Sequence, residues 1–150
     1  MFVVLDGTYT LARADMSTHT KIPFYLPEGV KKLHIDVAYS PKYNYNEEYG
    51  LALIEKSMMK QAGEPLMTKG EMRACLPLDN HLSYSIDSPK GAIGTAHRGN
   101  DRQSFLISED FADGGFYPCE TVAGEWAFVI SATCIITDTV TVSLRIEAEE

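Results

Sequence analysis

The chain has 150 residues, 45% hydrophobic and 23% charged, the composition of a globular domain rather than of a disordered or fibrous chain. A single domain of this length buries roughly 68–70% of the surface its unfolded chain exposes, so no metal or disulfide staple is required. The formal charge of −8 argues against a nucleic-acid surface, which draws its affinity from lysine and arginine neutralising phosphates.

The start, MFVVLDGTYTLAR, has no basic leader, and Asp6 interrupts its apolar run; it is not read as a signal peptide. No apolar segment approaches the ~18–20 residues that span a bilayer, so no membrane association is expected. TKIPFYL, residues 20–26, is β-branched and aromatic and is read as a strand. KKLHIDVAYS then places Leu33, Ile35, Val37 and Tyr39 on one face, with His34, Asp36, Ala38 and Ser40 on the other. This is the alternation of a half-buried strand.

SPKYNYNEEYG sets Tyr43, Tyr45 and Tyr49 among asparagines. Aromatic faces beside amides suit the stacking of a sugar ring, and tyrosines also commonly close the end of a sandwich core. From Asn46 to Gly63 the period changes. Leu51, Ile54, Met58 and Ala62 recur at helical spacing, Asn46 stands as N-cap, Glu47 and Glu48 lie in the first turn, and Gly63 follows the end. One helix over 46–63 is predicted. The next stretch, EPLMTKGEMRACLP, carries breakers at Pro65, Gly70 and Pro77 and is read as a loop excursion with a helical turn near Glu71 to Cys75.

Alternation returns in HLSYSID, through Leu82, Tyr84 and Ile86. The following DSPKGAIGTAHRGN, residues 87–100, raises the question of a phosphate loop. Gly94 and Gly99 have the P-loop spacing, but Asn100 and Asp101 stand where its lysine and hydroxyl belong, and an aspartate there would repel the anion. The stretch is read as irregular connection, its glycines supplying turns. His97 and Arg98 are its candidate ligand-binding side chains, able to exchange a proton or grip an anion. The competing reading is an exposed pair at a strand end.

QSFLIS, residues 103–108, is a further strand. Glu109, Asp110 and Asp113 lack EF-hand spacing and are read as a solvated turn. EWAFVIS (Trp126, Phe128, Ile130) and TVTVSLRIE (Val140, Val142, Leu144, Ile146) complete the series. Alternation throughout marks antiparallel sheets with one wet face, so the expected fold is all-β, a single antiparallel β-sandwich over 1–150 with one inserted helix. His19, His34, His81 and His97 are scattered, without HxH or HExxH spacing, so no metal, cofactor or catalytic set is assigned. Nor is there a GxSxG elbow. Cys75, Cys119 and Cys134 form neither a disulfide framework nor a CxxC pair, and are read as free thiols of a cytoplasmic protein.

Three segments together, IPFYLPEGVKKLHIDVAYSPK, NHLSYSIDSPKGAIGTAHRG and SFLISEDFADGGFYPCETVAGEWAFVI, resemble the amino-terminal β-sandwich module of bacterial PHP-domain metallohydrolases. Asp87, Pro89, Gly91, His97 and Arg98 stand at that module's loop positions. Gly115, Phe116, Pro118, Gly124 and Trp126 stand in its later motif. Cys119, Glu120 and the excursion from Tyr43 to Pro77 depart from it. The resemblance implies a jelly-roll-like accessory domain. In such relatives the metal ligands belong to a following catalytic domain, and no HxH here follows the final strand.

The resulting expectation is a non-catalytic accessory or interaction module. Its expected partner is a PHP-type phosphoesterase domain in trans, or a second copy of itself at the sheet edges. The alternative is a carbohydrate-binding module using Tyr43, Tyr45 and Tyr49. A hydrolase built from His97, Arg98 and distant acids ranks last.

Overall fold

The computed structural model describes residues 1–150. Its main strands are β1 (Phe2–Ala12), β2 (His19–Leu26), β3 (Lys32–Ser40), β6 (His81–Ser88), β7 (Gly91–Ala96), β8 (Arg102–Ser108), β9 (Gly124–Cys134) and β10 (Thr139–Glu149). Between β3 and β6 lie β4 (Tyr43–Asn44), α1 (Glu47–Ala62), α2 (Lys69–Ala74) and β5 (Leu78–Asp79).

The main strands form two four-stranded antiparallel sheets, ordered β1-β10-β3-β8 and β2-β9-β6-β7. Pairing is nested. The outermost strands β1 and β10 pair, then β2 with β9, β3 with β8, and innermost β6 with β7. A long antiparallel ribbon rolled up in this way is a jelly roll. Alternate side chains are sealed between the layers, as period two requires. Leu33, Ile35, Val37 and Tyr39 are all buried, as are Leu82, Tyr84 and Ile86, and Val140, Val142, Leu144 and Ile146. Trp126 is 1% exposed, stacks near Phe24 at 6.2 Å and donates its indole N–H to Val122 O at 2.9 Å. Burying such a ring is worth about 1.5–3 kcal/mol.

Two strands depart from the sequence reading. Strand β1 was not anticipated because a bulge between Val3 and Leu5 shifts its register and leaves Val4 and Leu5 both half-buried, which hides the period. Residues 87–100 are not wholly irregular, for Gly91–Ala96 is β7. Its backbone is paired on both sides, to β6 and to the 115–117 segment, through Thr95 N–H to Gly115 O at 2.9 Å and Tyr117 N–H to Ile93 O at 2.8 Å. Gly94 (φ +122°) and Gly115 (φ +101°) meet there so closely that a Cβ on Gly115 would lie 2.6 Å from Thr95 O. Here the glycines serve close strand approach as well as turns.

The predicted helix is present. The Asn46 side chain accepts from Tyr49 N–H at 2.9 Å, and Gly63, at φ +72°, caps the end. Its apolar face is weaker than predicted. Of Leu51, Ile54, Met58 and Ala62 only Met58 is buried, and Ala62 is exposed. Helix α2 runs over Lys69–Ala74, beginning two residues before the expected turn at Glu71 and ending one residue before Cys75, with a Thr68–Glu71 capping box. The pair forms a flap inserted between β4 and β5, which pair with each other. No helix is long and apolar enough to cross a membrane.

Candidate functional site

Tyr43 and Tyr45 flank Asn44 where the chain leaves the sandwich for the flap, and Tyr49 lies in the first turn of α1. The asparagines hold this path. Asn44 Nδ2 donates to Ile136 O at 2.7 Å while its Oδ1 accepts from Asn46 N–H at 2.9 Å. The result is a groove of about 420 Å³ lined by Arg13, Tyr43, Asn44, Tyr45, Asn46, Tyr49, Thr137 and Asp138. That volume lies within the usual span of small-ligand sites. Tyr43 and Tyr45 are 42% and 78% exposed, with ring centroids 5.9 Å apart. Tyr45 also lines a second depression, of about 270 Å³, with Glu47, Arg73 and Leu76. It therefore stands as a ridge between two hollows.

Two participants were not legible in the sequence. Arg13, just after β1, donates to Asp138 at 3.3 Å and lies 4.7 Å from the centroid of the Tyr49 ring. Asp138 belongs to the β9–β10 turn. Residues 125 apart in the chain carry no local motif linking them; only the closure of β1 against β10 joins them. A guanidinium held between a carboxylate and an aromatic face keeps part of its donor fork available.

Beneath the groove lies a polar hub, also unanticipated. Asn80 is wholly buried. Its Nδ2 donates to Pro41 O at 2.9 Å and to Thr137 Oγ1 at 2.8 Å, and its Oδ1 accepts from Ile136 N–H at 2.7 Å. Lys42 Nζ donates to Tyr39 Oη and Asn80 O, at 3.0 and 3.3 Å, and to Gly99 O. It also pairs with Asp79 at 3.1 Å. Burial acts to lower the Lys42 pKa, but the bonds to Tyr39 and Asp79 outweigh it and the ammonium is held above its ordinary value. These bonds tie the end of β3, the segment between β5 and β6, the β9–β10 turn and the loop at Gly99 to one another, so the hub fixes the floor on which the tyrosines stand.

His97 and Arg98 do not line the groove. His97 Nδ1 shares a 3.0 Å hydrogen bond with Ser83 Oγ, and Ser83 is 2% exposed. That serine faces away from solvent, and no carboxylate hydrogen-bonds the imidazole to orient it. Arg98 donates to Gly114 O at 2.8 Å and lies 5.2 Å from the Phe105 ring centroid. Both side chains tie the end of β7 to its neighbours. Glu109 and Asp110 are exposed, while Asp113 accepts from Leu106 N–H at 2.6 Å and shapes a turn. No three His, Cys, Asp or Glu side chains cluster closely enough to hold a metal ion, and all three cysteines are free.

Fold and groove together define the class: a jelly-roll β-sandwich with an aromatic groove at one end, bordered by the start of a helical insertion. Compared with known proteins, the chain matches no family model and no curated protein sequence.

Proposed function

We propose that this chain is a non-catalytic binding and interaction module, an accessory domain of the kind appended to PHP-type metallohydrolases, which presents the tyrosine groove as its contact surface. The observation that carries this reading is the groove itself, where three aromatic rings, an arginine and amide groups converge on one accessible hollow while the buried polar residues around it are engaged in structural bonds. The order of the Asp87–Arg98 and Gly115–Trp126 motifs supports the relationship, and free thiols suit the reducing cytoplasm. The purified protein is expected to bind no stoichiometric transition metal and to leave p-nitrophenyl phosphate intact with manganese, zinc or iron added. Metal-dependent turnover would refute the proposal.

A carbohydrate is the ligand that the groove chemistry favours. Tyr43 and Tyr45 offer faces for stacking on a pyranose, and Arg13 and Asp138 offer a donor and an acceptor for its hydroxyls. On a glycan array, Tyr43→Ala/Tyr45→Ala is expected to weaken any bound glycan at least tenfold, since two stacking contacts contribute about 1 kcal/mol or more each. Glycan binding indifferent to both substitutions would remove the sugar reading and leave the accessory module standing.

A further inference from the structure

A sheet edge is a row of unpaired backbone groups, and natural proteins close such rows. In this molecule three of the four edges are closed. Strand β7 is covered by the 115–117 segment. Strand β8 is covered over Leu106–Ser108 by the returning chain, with Asp113 N–H to Leu106 O at 3.0 Å and Ser108 N–H to Phe111 O at 2.7 Å. Strand β2 carries Pro23 at its centre and exposed Lys21 beside it, two devices that refuse an added strand.

Strand β1 has none of these. It is the outer strand of its sheet and eleven residues long, without proline, lysine or arginine. Its one charge, Asp6, is paired within the chain to Arg145 at 2.8 Å.

We infer that β1 is a self-association edge, at which a second copy adds its own β1 antiparallel across a two-fold axis at Thr8. A second copy satisfies this edge in register. Beyond the bulge, Leu5, Gly7, Tyr9 and Leu11 face the core side, and Asp6, Thr8 and Thr10 face solvent. Centring the axis on Thr8 sets Leu5 opposite Leu11 of the second copy, Asp6 opposite Thr10, Gly7 opposite Tyr9, and Thr8 opposite Thr8. Every pair then keeps core side with core side, as a shared sheet requires. No two aspartates meet, and the Thr–Thr pair at the centre is a favourable cross-strand neighbour. The two four-stranded sheets become one continuous sheet of eight strands, an isologous contact that closes on itself. This inference stands apart from the ligand of the tyrosine groove, at which β1 contributes no side chain.

Crosslinking tests it. In a Cys75→Ser/Cys119→Ser/Cys134→Ser background, Thr8→Cys places two thiols across the axis at a separation a disulfide can bridge. Under copper–phenanthroline oxidation most of this variant is expected to run at twice the 16.6 kDa chain mass, while Lys21→Cys on the refused β2 edge stays largely monomeric. Thr8→Lys, which opposes two like charges, is expected to sediment as a monomer at concentrations where the parent is dimeric. Equal crosslinking of both cysteines, crosslinking of neither, or a monomeric parent at millimolar concentration would overturn the inference.

Discussion

Tyr84 shows how a single side chain can be well packed yet chemically idle. Its ring sits against Phe128 at 5.4 Å and Phe105 at 6.4 Å, while its buried hydroxyl has no protein partner. Burial first, with Tyr39 once it ionises and the Asp101 carboxylate adding to it, pushes the phenol well above its ordinary value of 10.0. The folded state therefore holds this proton more tightly than the unfolded chain does. That contribution is complete below pH 10 and is lost as the pH climbs from there toward the folded value. Tyr84→Phe keeps the ring and removes the group that bonds nothing. Its unfolding free energy at pH 7 is expected to equal or exceed the parent's by up to about 1 kcal/mol, and its alkaline limb above pH 10 to be shallower. Denaturant titrations at pH 7 and 10.5 check both; a loss greater than about 1 kcal/mol at pH 7 would show that the hydroxyl is engaged.

At the scale of elements, the flap and the sandwich are separable. Helix α1 buries only Gly50 and Met58, and α2 only Met72, and a Cβ on Gly50 would meet the side chain of Leu76, so the insertion packs largely on itself. Its two ends are already paired, Asn44 with Leu78. Replacing residues 45–77 by Asn-Gly would close that ribbon with a two-residue hairpin turn. The shortened chain is expected to unfold cooperatively, with a midpoint within about 5 °C of the parent's, while losing the groove because Tyr45, Asn46 and Tyr49 go with the flap. Calorimetry of the two chains decides it. The helix was legible in the sequence because its caps are local chemistry, Asn46 and Gly63. Strand β7 was not, since glycine and alanine carry little strand preference and its backbone is held by pairing with β6 and with the segment around Gly115.

Across the whole molecule, nested pairing makes the first strand wait for the last. Phe2 lies opposite Ala148, and no local contact substitutes for that closure. Loop entropy must be surrendered before the reward arrives, so the chain is expected to refold over milliseconds to seconds rather than microseconds. The single Trp126, buried in β9, reports this in stopped-flow dilution from denaturant; refolding complete within the dead time of mixing would contradict the argument. The same closure brings Arg13 to Asp138 and builds the groove, so ligand binding is expected to appear only with the final folding phase.

The alternation of buried and exposed residues, written into β3, β6, β9 and β10, determined that this protein is an antiparallel sandwich, because a strand's two faces follow from period two whatever its neighbours are. The caps of α1 determined the inserted helix for the same local reason. Tertiary structure alone decided the strand order, the union of Arg13 and Asp138 with the tyrosines, the Asn80 hub beneath them and the bare edge of β1. These depend on which backbones meet after the chain has rolled up, and side-chain pattern along one strand holds no record of the strand that will lie beside it.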